Sequence, residues 1–207
     1  MIHITVIGAT GFVGTDITRE AAARGHEVTG VNRSGKATSP VEGVEYRAGD
    51  LTDTAAVTDL AEESDVVVIS VSGGRENGDY GPVIEAHREL IEAKPDARLF
   101  IVGGAGGLET EDGTTLVDAG LIPQEYAAEP RSFVKVLELY RAADADVDWV
   151  MLAPSPEIVP GEKAGSYRLS DDRPAGDKVT TGTFAAAVLD EIEKPAHRRT
   201  RFTVADA

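Results

Sequence analysis

The stretch VIGATGFVG, Val6 to Gly14, decides how the rest of the chain is to be read. Glycines three apart, Gly8, Gly11 and Gly14, follow directly on the apolar run that opens the chain. At such a place Gly8 lets the backbone turn sharply out of a strand, Gly11 lets a ligand approach the main chain, and Gly14 lets the following helix pack close to the sheet. A helix is expected from Phe12, with Val13, Ile17, Ala21 and Ala22 on one stripe and Gly25 as its stop. HEVTGVN, His26 to Asn32, then reads as a second strand, completing a βαβ unit whose crossover should be right-handed. The turn between strand and helix offers free N–H groups and a partial positive charge, the arrangement that receives a pyrophosphate.

The alternation continues to the end of the sequence. Strands are expected at Val44–Asp50, Asp65–Ser70, Ala97–Gly104 and Asp148–Pro154, with Arg201–Asp206 able to add an edge strand. Helices are expected over Thr52–Glu63 with Thr52 as cap, Gly81–Ala93, Pro130–Ala143 and Thr181–Glu193. In the first of these Ala56, Leu60 and Ala61 form the stripe, and in the Pro130 helix Phe133, Val136, Leu137 and Tyr140 do. Strands alternating with helices predict an α/β fold of doubly wound parallel type, ordered 3-2-1-4-5-6, in a single domain over residues 1–207. Ligands of such sheets sit beyond the carboxyl ends of the strands, where the order reverses.

Composition removes several function classes. Without cysteine there is no disulfide, thiolate metal site or cysteine nucleophile, and His3, His26, His87 and His197 lack metal-site spacing, so no metal is expected. Thirty-six acidic residues against 20 basic ones give a formal net charge of −16, which repels nucleic acid and anionic membrane surfaces. Only six of the 20 cations are lysine, a balance that suits a high-salt cytoplasm and an ordinary acidic protein equally. No apolar run approaches the ~20 residues of a membrane span, and MIHITVIG has no basic segment ahead of its apolar residues, so a soluble cytoplasmic protein, monomer or small homo-oligomer, is expected.

Which dinucleotide fits is read from the end of the second strand. An NAD site usually places an acid there for the ribose 2′-hydroxyl, whereas this chain has VNRSGKA, with Arg33 suited to a 2′-phosphate and Ser34 able to assist. NADP(H) is therefore preferred over NAD(H).

GATGFVG, AGDLTD and IVGGAGGLE, with the more specific WVMLAPSPEIVPGEKAGSYRL and DEIEKPAHRRTRFTVAD, resemble the NmrA-like group of atypical short-chain dehydrogenase/reductases, and more narrowly its NAD(P)H-dependent flavin reductase-like branch. The resemblance covers essentially the whole chain and implies a Rossmann reductase passing hydride to a small planar acceptor, a flavin or quinone. It places Gly8, Thr10, Gly11, Phe12, Val13 and Gly14 at the pyrophosphate and Arg33 at the 2′-phosphate. Asp50 and Leu51 would flank the adenine, Ser70, Val71, Ser72 and Gly73 the nicotinamide ribose, and Gly103, Gly104, Ala105, Pro154 and Ser155 the nicotinamide and acceptor pocket. Among the five tyrosines none has lysine four residues on, so the tyrosine–lysine pair of alcohol dehydrogenases is missing. Tyr126 and Ser155 are the candidates for polarising an acceptor or donating a proton. Gly103 to Arg131 reads either as a lid over the pocket, with Leu108, Leu121, Ile122 and Tyr126 as apolar contacts, or as a surface excursion that packs on itself. A flavin or quinone needs orientation and water exclusion more than a catalytic dyad, so a reductase is expected. A non-catalytic NADP(H)-binding redox sensor of NmrA type is the alternative.

Overall fold

Runs such as ITVI, VVVI and WVMLAP are apolar on both sides of the strand, which requires helices on both faces of the sheet. The computed structural model describes residues 1–74 and 77–207 and builds that arrangement. In chain order the elements are β1 (His3–Ile7), α1 (Gly14–Ala23), β2 (Glu27–Asn32), β3 (Val44–Ala48), α2 (Thr54–Glu62), β4 (Val66–Ile69), α3 (Gly81–Ala93), β5 (Arg98–Val102), α4 (Ala128–Ala142), β6 (Trp149–Pro154), β7 (Glu157–Val159), β8 (Tyr167–Ser170), β9 (Lys178–Thr180), α5 (Thr181–Glu193) and β10 (Thr200–Asp206). The main sheet runs β3-β2-β1-β4-β5-β6-β10-β8, so the doubly wound parallel order 3-2-1-4-5-6 is present and two strands extend it.

Successive strand residues feed two separate cores, as the period of two demands. Ile4, Val6, Val66, Val68, Phe100, Val150 and Leu152 pack with Ile17, Ala21, Phe184 and Val188 of α1 and α5. Ile7, Val67, Ile69, Leu99, Ile101, Trp149 and Met151 pack with Val57, Val83, Leu90, Val136 and Tyr140 of α2, α3 and α4. α3 and α5 keep the expected bounds, and α5 is buried along almost its whole length.

Four expectations are corrected. β10 is not an edge strand: it pairs parallel with β6 and antiparallel with β8, whose short, half-polar YRLS carries too weak an alternation to be read as a strand. β7 and β9, three residues each, form a second small parallel sheet for which the sequence offers no signal. α2 is capped by Asp53, whose Oδ1 accepts from the Ala56 amide at 3.2 Å, because Thr52 is already held by Asp50 through its amide and hydroxyl. Its buried residues are Val57 and Ala61, with Leu60 packed only partly. α4 starts at Ala128, so Pro130 is its third residue, where the first turn has no acceptor for an N–H in any case. The end of α4 is held by Arg199, which sits at φ 53° and donates to Ala143 O at 2.7 Å and Val147 O at 2.8 Å.

Candidate functional site

Beyond the carboxyl ends of β1 to β6 lies a continuous cleft of about 920 Å³. It begins at the ends of β2 and β3, crosses the β1–β4 junction where the strand order reverses, and ends over β5 and β6.

The glycine turn is built by contacts that exclude side chains. Gly8 has φ +87°, and a Cβ there would stand 2.4 Å from Ser70 O; one on Gly14 would stand 2.0 Å from Gly8 O. Gly8 N and Ala9 N both donate to Val31 O, which ties the turn to the end of β2. Gly11 is exposed on the cleft, and the residue before α1 is Val13, whose side chain has no oxygen to cap the helix. Thr15, Asp16 and Ile17 of the first turn donate to Gly11 O and Val13 O, so what meets the cleft is the turn Thr10–Val13 and the positive end of the helix behind it, a cradle that fits the pyrophosphate of a dinucleotide.

At the far side of β1, Arg33 and Asp50 line the cleft with Asn32 and Leu51. Ser34 does not: its Oγ donates to Asn32 Oδ1 at 3.0 Å and accepts from Lys36 N at 3.3 Å, so the hydroxyl is spent inside the turn. Asp50 Oδ1 accepts from Thr52 N at 2.9 Å and holds the loop that carries Leu51. Of the residues expected around the cofactor, all but Gly14 and Ser34 line the cleft, and Gly14 lies behind the turn as a packing residue.

The other end is apolar. A Cβ on Gly104 would stand 2.5 Å from the Phe133 ring, so glycine here lets that ring lie against the backbone. Phe133, Pro130, Ile122, Pro154, Pro156 and Ile158 form the wall, with Glu129 at its margin. Phe133 was legible only as part of a helical stripe, whereas the structure turns it to the cleft. Pro156, Ile158, Asn77, Asp79 and Glu129 fall in the segments beyond the carboxyl ends of the strands, where the topology expects a ligand, but nothing in the sequence singled them out individually.

Neither candidate proton donor is well placed for that role. Tyr126 is 67% exposed, in a short 3₁₀ turn (Gln124–Tyr126), and is not among the lining residues. Ser155 lines the cleft but is 0% exposed, and its hydroxyl donates to Val204 O at 2.8 Å. Of the expected lid contacts only Ile122 reaches the cleft; Leu108 is buried beneath the loop and Leu121 faces outward.

That loop is fixed from behind by one guanidinium. Arg201 of β10, 3% exposed, donates from Nη1 to Gly107 O at 2.6 Å and from Nε to Asp172 Oδ1 at 2.9 Å. Arg141 of α4 reaches the same carboxylate at 2.8 Å, while Glu109 N donates to Asp172 O at 2.8 Å. Burial pulls Arg201 below the ordinary arginine pKa, and the neighbouring Asp172 carboxylate opposes that shift. The clamp holds the 3₁₀ turn Ala105–Gly107 as the floor of the apolar end.

A glycine-turn βαβ unit, a strand-order reversal and a cleft running across it define a dinucleotide-binding α/β protein. The chain belongs to the NAD(P)H-binding family, whose model matches residues 8–195. It is similar to the uncharacterized protein YwnB of Bacillus subtilis (strain 168), 32% identical over 98% of both chains. Its structure resembles a Bacteroides thetaiotaomicron protein provisionally described as an epimerase, with a TM-score of 0.87, 28% identity and 100% and 98% of the two chains covered. It also resembles a Streptococcus pneumoniae TIGR4 protein provisionally described as an NADH-flavin reductase, with a TM-score of 0.83, 26% identity and both chains covered in full. The expected likeness to the flavin reductase-like branch therefore holds. Among the described residues no cluster of His, Cys, Asp and Glu suits a metal ion, and no helix is long and apolar enough to cross a membrane.

Proposed function

We propose that this chain, acting as one NAD(P)-binding unit over residues 1–207, is an NADP(H)-dependent reductase of a small planar acceptor of flavin or quinone type. The observation that carries this reading is the continuity of the cleft: a phosphate cradle at the glycine turn passes without a barrier into an apolar wall around Phe133. When bound, NADPH supplies a hydride, becoming NADP⁺, and the acceptor completes its reduction with a proton from water.

The protein's share is binding and orientation. The α1 N-terminus and glycine turn hold the pyrophosphate, and Arg33 gives a planar, doubly hydrogen-bonding partner for a 2′-phosphate. Gly103 and Gly104 let the reacting rings approach the main chain. Phe133, Pro130 and Ile122 exclude water from one face. A flavin or quinone carries its own electron-accepting chemistry, which suits a wall with no committed acid.

The similarity to an NADH-flavin reductase supports this reading, as does the missing tyrosine–lysine pair, which disfavours epimerase chemistry on sugar nucleotides. An NADP(H)-using reductase without cysteines suits the cytoplasm, and the acid excess suits a high-salt one. A second reading, a sensor that binds NADP(H) without turnover, is favoured by the placement of Ser155 and Tyr126 described above. NADPH oxidation with a panel of flavins and quinones separates the two: turnover on any of them supports the reductase. Tight NADP⁺ binding with no turnover on the panel overturns it in favour of the sensor.

A further inference from the structure

The turn that carries Arg33 is built around one residue. Asn32 ends β2, and its Oδ1 accepts from Ser34 N at 3.0 Å and from Ser34 Oγ at 3.0 Å, while its Nδ2 donates to Lys36 O at 2.9 Å. Its main-chain carbonyl accepts from Gly35 N at 3.2 Å and from Gly49 N at 2.9 Å, and the second of these joins the turn to the residue after β3. Gly35 sits at φ +66°, and a Cβ there would stand 2.8 Å from Ala48 N, so the turn lies close against the end of β3. Arg33 stands inside this turn, exposed and lining the cleft.

An arginine side chain loses rotamer freedom when it grips a ligand, and a loose root adds backbone freedom to that loss. Fixing the backbone on both sides of Arg33 before the ligand arrives removes the second part. A planar guanidinium must also meet a phosphate at a set angle, which a wandering root does not provide. Asn32 lines the cleft as well, yet both lone pairs of its Oδ1 are taken within the turn, so that oxygen has nothing left for a ribose hydroxyl. Its amide works on the backbone of residues 33–36.

Resting on the NADP(H) reading, we infer that Asn32 is a positioning residue for cofactor choice: its amide sets the turn from which Arg33 reaches a 2′-phosphate, without touching the phosphate itself. Ser34 and Gly35 belong to the same device, Ser34 as the second anchor and Gly35 as the residue that permits the close approach to β3. A hydroxyl that does not line the cleft thereby acts on the cofactor at one remove.

A double-mutant cycle on the binding of NADPH and NADH, each titrated by its own fluorescence, tests this. Asn32→Ala should weaken NADPH by about tenfold and leave NADH within about twofold, the scale of the hydrogen bonds that the turn loses. In an Arg33→Ala background the same change should cost NADPH almost nothing, because no guanidinium is left to aim. Asn32→Ser keeps an oxygen for Ser34 N in the weaker hydroxyl form of the turn, so its loss should be smaller; it is the variant to titrate if Asn32→Ala does not fold. A loss for NADPH that persists without Arg33 gives Asn32 a contact of its own and overturns the positioning role. Equal weakening of both nucleotides makes Asn32 a purely structural residue and overturns it too. A preference for NADPH that disappears in Arg33→Ala but survives in Asn32→Ala overturns the inference and leaves the NADP(H) reading standing. No preference for NADPH in the unmutated protein overturns both.

Discussion

Arg33 stands at the end of β2 with no acid between Glu27 and Glu42 in the sequence, and in the proposed NADP(H) site its guanidinium would meet the 2′-phosphate. Arg33→Ala should therefore raise the Kd for NADPH by roughly tenfold to a hundredfold, the scale of a charge-assisted pair, and leave that for NADH nearly unchanged. Titration of both nucleotides against the variant checks it, and an unaltered NADPH/NADH ratio would remove Arg33 from the cofactor site. His87 matters for a different reason. It is buried between α3 and α4 with Nδ1 3.0 Å from Tyr140 Oη, and burial pushes its pKa down from 6.5 to about 4. The folded form keeps the ring neutral where the unfolded chain would protonate it. Stability from this residue is thus intact above about pH 6.5 and drains away as the pH falls toward 4, by on the order of 3 kcal/mol. His87→Gln should start less stable at pH 7 and lose less between pH 7 and 5. Parallel slopes in urea unfolding would contradict this. The residues that line the cleft at the glycine turn and the end of β2 were legible because they act through the backbone and local order. Phe133 was not, since helical spacing tells which residues share a face but not that one of them leaves the core for the cleft.

At the scale of elements, the clamp of Arg201, Asp172 and Arg141 joins β10, the loop after β8, the Ala105–Gly107 turn and α4. Arg201→Gln would leave Gly107 O and the Asp172 carboxylate short of donors, at a cost of roughly 2 to 3 kcal/mol given that Asp172 is partly solvated. Limited proteolysis should then cut first within residues 103–127; an unchanged cleavage pattern would mean the loop holds itself. Nothing in GGAGGLETEDGTTLVDAG signals this anchoring, because the partner lies 94 residues away in sequence (Gly107 to Arg201). The same distance hid the sheet's last strands. β4 announces itself by a continuous apolar run and β1 and β2 by their places on either side of the glycine turn and its helix, but YRLS and KVT are too short and too polar, and only pairing with β10 and β7 makes them strands. α3 and α5 were legible to the residue because glycine or threonine starts them and their apolar spacing is unbroken.

Across the whole molecule, the charge of −16 is dispersed over a surface that carries exposed pairs such as Arg47 with Glu45 and Glu63. Such pairs contribute little each, while the excess negative charge repels itself at low ionic strength. The melting temperature should therefore rise by several degrees between dilute buffer and molar potassium chloride, as screening shortens the range of that repulsion to about 3 Å. A flat response in a thermal scan would separate the acidity from any adaptation to salt. The position of β10 has a consequence of another kind. It lies inside the sheet, between β6 and β8, and carries Arg201 and the buried Phe202 and Val204. A ribosome that has delivered residues 1–199 has made every helix and nine of the ten strands, yet β8 has no neighbour and the floor of the cleft no anchor. Synthesis must run through Asp206 before the sheet can close, so the floor of the cleft takes its final form only when β10 has slotted between β6 and β8.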